Sequence, residues 1–164
     1  MFPRLAAVAP AALIVHLLGC GGTSEEPSGA EPGATVSCTE DARLDTYAGG
    51  LERPGELGVL TFRFSDLEPA PPARGNNVFH VQVNDAAGAA LEVELAVDLR
   101  MPDHGHGTSV KPVVAFEDAL VRYTVRPLYL FMPGVWRIEF DAYAPGASAE
   151  PALDRVALHF CVEG

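Results

Sequence analysis

Positive charge is scarce in this 164-residue chain: 11 Lys and Arg stand against 22 Asp and Glu, for a formal net charge of −11, and the only lysine is Lys111. A surface of that sign repels phosphate backbones and anionic headgroups, so nucleic acid is not an expected partner. Methionine and cysteine occur three times each and tryptophan once, as Trp136. Beyond the N-terminal twenty residues no run approaches the ~20 apolar residues of a membrane-spanning helix. No later segment repeats its apolar residues with a helical period, and there is no internal repeat. A nucleophile elbow is also missing, so a hydrolase built on paper from Ser109, His104 and Asp103 lacks its oxyanion element, and an enzyme is not expected.

What is present begins with an export signal. Arg4 supplies the positive charge, and Leu5 to Leu18 form a short apolar core of signal-peptide length. Leu17-Leu18-Gly19-Cys20 resembles the bacterial lipobox. That resemblance implies a lipoprotein signal peptide over residues 1–19, cleavage before Cys20, and lipid on its sulfur as the membrane anchor. Gly21 in place of aspartate favours the outer membrane, by the enterobacterial sorting pattern. Residues 20–35 are rich in Gly, Ser, Glu and Pro and read as a disordered tether with a reach of roughly 20–25 Å. Residues 36–164 make one domain, long enough for a core.

With Cys20 used by lipid, Cys38 and Cys161 remain, one at each end of the domain in an oxidising compartment. The expected arrangement is a disulfide, worth about 4–5 kcal/mol in the chain-entropy description of so long a loop. The other arrangement is a pair of soft metal ligands. Val156, Leu158, Phe160 and Val162 form an apolar stripe, so Cys161 faces the opposite way, toward the N-terminal segment.

The domain reads as β throughout. Leu91, Val93, Leu95, Val97 and Leu99 alternate with Glu92, Glu94, Ala96 and Asp98, and Phe79, Val81 and Val83 alternate with Val78, His80 and Gln82. Asn84-Asp85-Ala86-Ala87-Gly88 between them reads as a hairpin turn. Further strands are expected over Leu60 to Phe64, Leu120 to Val125, Val135 to Tyr143 and Val156 to Val162. About seven strands separated by Pro and Gly turns predict an immunoglobulin-like antiparallel β-sandwich, although Trp136 lies too near the second cysteine for a true immunoglobulin domain.

The chemistry concentrates in Met101-Pro102-Asp103-His104-Gly105-His106-Gly107, with Met132-Pro133-Gly134 as a second Met-Pro turn. Thioether sulfur and neutral imidazole suit copper, so Met101, His104, His106 and Met132 are the candidate ligands, for Cu(I) as a set or Cu(II) through the histidines. Alternatively, Met101 and Met132 plug the core, and the histidines lock the loop by hydrogen bonds to carbonyls. Asp103, His104 and His106 could offer zinc three ligands, but a fourth is not evident. His80 and His159 fall on outward phases and read as surface or cross-strand residues.

Gly75-Asn76-Asn77, the turn through Gly88, the Met101–Gly107 segment, Pro112, Tyr123 and Met132-Pro133-Gly134-Val135-Trp136 together resemble the YtkA-like domain, a family related in pattern to FixH-type and other exported β-sandwiches. The resemblance spans roughly Leu57 to Phe140. It implies the sandwich fold and an extracytoplasmic location, and little about function. Two functions remain open: a copper-binding envelope lipoprotein, or an interaction module docking on an unidentified envelope protein with the histidine loop purely structural.

Overall fold

The computed structural model describes residues 37–147 and 151–164; the expected signal peptide, the expected lipidation at Cys20 and the expected tether lie outside them. Nine strands occur among these residues: β1 (Leu51–Pro54), β2 (Thr61–Glu68), β3 (Gly75–Asn84), β4 (Glu94–Met101), β5 (His106–Gly107), β6 (Val113–Glu117), β7 (Arg122–Leu130), β8 (Gly134–Tyr143) and β9 (Asp154–Val162). They form two antiparallel sheets, ordered β1-β2-β3-β7-β6 and β5-β4-β8-β9, packed as a sandwich. The expected architecture is the observed one, with nine strands in place of about seven. The strands beyond the six placed from the sequence are β1, β5 and β6. Each is short, and none alternates cleanly enough to announce itself as a half-buried strand.

Alternation sets the core. Phe62, Phe64, Phe79, Val81 and Val83 point inward from the five-stranded sheet, and Trp136, Ile138, Phe140, Leu158 and Phe160 from the four-stranded one. The rings of Phe64 and Phe140 meet across the interface at 5.2 Å, and Phe79 packs edge-on against Phe160 at 5.9 Å. The turn after Asn84 forms as expected: the Asp85 carboxylate accepts the N–H groups of Ala87 and Ala89 at 2.9 Å. Its flanking strands do not form a hairpin, however. The end of β3 meets the segment before β4 only in an isolated bridge, Asn84 to Ala90, and β4 then begins in the opposite sheet. β7 also runs further than the expected Val125, continuing through Pro127 to Leu130. A bulge makes this possible, because Asn77 pairs with Leu128 while Phe79 pairs with Val125. Proline has no N–H for the ladder, and a bulge is where a strand tolerates that loss.

Polar pins hold the two sheets in register. Asp154, 1% exposed, begins β9 and accepts the N–H groups of Leu57, Val59, Leu60 and Arg155 at 2.8–2.9 Å. It ties the β1–β2 turn of one sheet to a strand of the other. Burial alone would raise this carboxyl, but the four N–H groups outweigh it and hold Asp154 below the usual carboxylate range. Gly55 leaves room for it, since a Cβ there would lie 2.2 Å from the carboxylate carbon. Tyr123 in β7 makes a second pin: its hydroxyl accepts the Val93 N–H at 2.6 Å and donates to the Val93 carbonyl at 2.7 Å. Buried Asn77 satisfies its whole amide on Ala73, Gly75 and Leu128.

Cys38 and Cys161 are joined, with Cα atoms 5.4 Å apart and a sequence separation of 123. Cys161 lies on the outward phase of β9, as expected. Beyond the disulfide, the N-terminal segment follows the same edge strand: the Asp45 N–H donates to the His159 carbonyl at 2.9 Å, and its carboxylate accepts the His159 N–H at 2.8 Å. The segment therefore covers part of an edge that would otherwise offer unpaired backbone groups.

Two outcomes follow. Asp154→Ala strands three buried or half-buried loop N–H groups and should cost at least about 3 kcal/mol in urea unfolding, with Asp154→Asn intermediate. Because the native carboxyl titrates below its unfolded value, its contribution is complete above about pH 4 and disappears as pH falls through the native pKa; the Asn variant should lose that acid dependence. Non-reducing mass spectrometry of the untreated protein should find no alkylatable thiol at Cys38 or Cys161. The double Ser variant should keep the fold and lose several kcal/mol, about 5 at most.

Candidate functional site

The two Met-Pro segments meet at one end of the sandwich. β4 ends at Met101, whose carbonyl accepts the N–H groups of His104 at 3.2 Å and Gly105 at 3.0 Å. Gly105 takes a positive φ of 68°, which lets the chain reverse so that β5 pairs back on β4, His106 against Met101 and Gly107 against Arg100. Opposite this loop, Gly134 opens β8. A Cβ on Gly134 would lie 2.8 Å from Met101 Cε and 3.9 Å from His104 Nε2. Glycine is thus the residue that lets the second turn close over the first.

The candidate ligands separate by burial. Met101 is 0% exposed and seals the end of the core, as its inward phase predicts. Met132 is half-buried against the same core, and its carbonyl accepts the Trp136 indole N–H at 2.9 Å. His104 and His106 are exposed, with ring centres 5.6 Å apart. Two imidazoles sharing one metal through bonds of about 2 Å have ring centres no more than about 6 Å apart, so this spacing permits joint ligation. The His106 ring also stacks on Phe131 at 5.9 Å, and Phe131 meets Trp136 edge-on at 5.6 Å. Among the described residues no protein group hydrogen-bonds a ring nitrogen of either histidine. The loop is held instead by Met101, by β5 and by Asp103.

Asp103 has its own partner. The Arg43 guanidinium donates to both Asp103 oxygens at 2.8 and 2.7 Å, and to both Asp41 oxygens at 2.9 and 2.6 Å. It holds Asp41 down to about 2 and lowers Asp103 as well. Asp103 is therefore committed to a fork across 60 residues of sequence, and the zinc set that would use it lacks a free third ligand. No group of three or more His, Cys, Asp or Glu suited to a metal occurs among the described residues, so a site here rests on imidazole and thioether donors. Arg43 was not visible as a site residue in the sequence, because nothing local marks its partner. A cleft of about 600 Å³ lies beside this fork, bordered by Cys38, Glu40, Asp41, Asp103, His104 and Gly134 among others.

The other two histidines lie elsewhere. His80 Nδ1 sits 3.0 Å from the Thr124 hydroxyl, which donates a short hydrogen bond to Glu117; all three are on the outer face of the five-stranded sheet. His159 lies over Asp45, with burial lowering its pKa. Comparison of the chain with protein-family models, curated proteins and solved structures finds no match.

Replacing Arg43 tests the fork. In Arg43→Ala, NMR titration should move Asp41 from about 2 up toward the ordinary carboxylate range, with Asp103 rising too. Any stability the fork supplies is present above about pH 4 and fades as pH falls toward 2; the variant should lack that dependence. Since the fork is exposed to solvent, the change in stability at neutral pH should be small.

Proposed function

We propose that this chain is a lipid-anchored, non-enzymatic β-sandwich of the cell envelope that holds copper at His104 and His106, for sensing, buffering or delivery. The observation that carries the reading is the pair of exposed imidazoles, 5.6 Å apart, with no ring nitrogen hydrogen-bonded among the described residues. Met101 beneath them and Met132 on the facing turn are the soft donors nearest to hand, a set suited to Cu(I), while the two imidazoles suit Cu(II). The acidic balance of the chain favours cation capture. Location and anchoring rest on the signal-like N-terminus and the lipobox resemblance at Cys20. Membership of the YtkA-like family is part of the same proposal, resting on the Met-Pro-Asp-His-Gly-His-Gly and Met-Pro-Gly-Val-Trp segments.

The rival reading makes this an interaction module whose histidines only lock the loop. It requires hydrogen bonds from their rings to carbonyls, and among the described residues neither ring makes one. The backbone bonds at Met101, the β5 pairing and the Arg43 fork hold the loop without them.

Trp136 supplies the reporter. It is the only tryptophan, and one ring, Phe131, separates it from His106. Titrating the purified, tag-free full chain with Cu(II) should quench its fluorescence to a one-to-one endpoint. Cu(I), titrated against a competing chelator, should bind at the same stoichiometry. The His104→Ala/His106→Ala variant should keep its melting temperature and lose both responses. Identical titrations by wild type and variant remove these residues as the site.

A further inference from the structure

Three of the four sheet edges are guarded. β9 carries the N-terminal segment, β5 is two residues long, and β1 is four residues long and ends in Pro54. β6 has no such guard. It is the outer strand of the five-stranded sheet, and among the described residues its ladder with β7 is the only backbone bonding of Val113 to Glu117. Val-Val-Ala-Phe carries no charge, and an unpaired strand of that kind is a template for another strand. Val113 is 64% exposed, and Val110 and Leu120, just before and after the strand, are exposed as well. A groove of about 450 Å³ beside Val113 is bordered also by Val78, Arg126 and Pro127. We propose that a second copy of this chain pairs on β6, antiparallel and about a two-fold axis at Ala115, so that the two five-stranded sheets become continuous.

The charges along the edge select this occupant. Lys111 precedes the strand and Arg126 pairs with Val113 at its start; among the described residues neither has a carboxylate partner. At the other end Glu117 closes the strand and Asp118 follows it. Arg122 there is shared between Glu117 and Asp66, so that end stays negative. An antiparallel copy lays its negative end on the positive end of the first, and symmetry repeats the match. Parallel pairing would set like charge on like. Val114 and Phe116 pack on the core, which leaves Val113, Ala115 and Glu117 on the outward phase. With Ala115 on the axis, Val113 lies opposite Glu117 of the second copy, beside Arg126, and every outward side chain keeps its face. Ala115 is small and exposed, so nothing obstructs the axis. Pairing through five-residue strands buries less than a standard interface, and the dimer is therefore weak and set by concentration.

The test is sedimentation equilibrium of the full chain from about 1 to 300 µM. A chelator is present throughout, so that the histidine loop cannot bridge copies through metal. The wild type should pass from monomer to dimer across that range. Ala115→Lys sets two lysines against each other at the axis and should weaken the dimer more than about tenfold, with an unchanged melting curve in dilute solution. Ala115→Cys places two thiols directly opposite, with Cβ atoms about 4.5–5.5 Å apart. Mild oxidation should then join residue 115 to residue 115 of the second copy, a link that mass spectrometry of the peptides identifies. Val113→Cys should not link to itself, because the register offsets those two residues by four positions, roughly 13 Å. A wild type that stays monomeric leaves the edge to an extended segment of another protein and overturns the proposal. A dimer that Ala115→Lys leaves intact overturns it too, since the interface then lies elsewhere. Linking of Val113→Cys as fast as Ala115→Cys overturns the two-fold register.

Discussion

At one end of the sandwich a single buried carboxylate fixes how the two sheets meet. Apolar packing drives the sandwich together, but packing alone is tolerant of one layer sliding over the other. Asp154 removes that freedom. Its oxygens receive N–H groups from the β1–β2 turn while its backbone begins β9, so the two layers can meet in only one register at that end. The arrangement is directional and charge-assisted, and it is shielded from water, which makes it more specific than any hydrophobic contact of similar strength. Gly55 is its steric counterpart, kept small so that the carboxylate can reach the turn.

The opposite end is held differently. There the fastenings are the disulfide, the Arg43 fork and the close approach of Met101 to Gly134. Each involves a residue that borders the histidine loop or lies next to it. The candidate ligands therefore stand on a backbone that is already ordered, while their imidazoles are left out of the fastening. That division of labour is the preorganisation expected of a binding site: scaffold bonds fix the loop, and donor atoms stay available.

Much of this was legible in the amino-acid sequence, and the remainder was illegible for identifiable reasons. Period-two alternation marked β3, β4 and β9 with the correct inward faces, because each has one face largely buried. The outward phase of Cys161 pointed to its pairing with Cys38. β6 escaped notice because an edge strand has no strict inward face, and its Val113 is 64% exposed. The continuation of β7 was hidden by the bulge at Pro127, which breaks the alternation where the strand goes on. The crossing of β4 to the second sheet was hidden as well, since a tight turn after Asn84 is equally compatible with a hairpin. At the site, the convergence of the two Met-Pro turns could be imagined from the sequence, but Arg43 could not be assigned to Asp103, because ion-pair partners so far apart in the chain leave no local pattern.

The placement of the disulfide also has a mechanical consequence. Cys38 and Cys161 sit at the two ends of the domain, at a sequence separation of 123. A tension applied between the chain's ends passes from Ser37 through the two sulfurs to Val162, and the loop of nine strands carries almost none of it. While oxidised, the domain is a closed ring hung from a covalent link, and pulling cannot unzip its sheets. Once the link is reduced, the same force reaches the Asp45 bonds and the edge of β9 first.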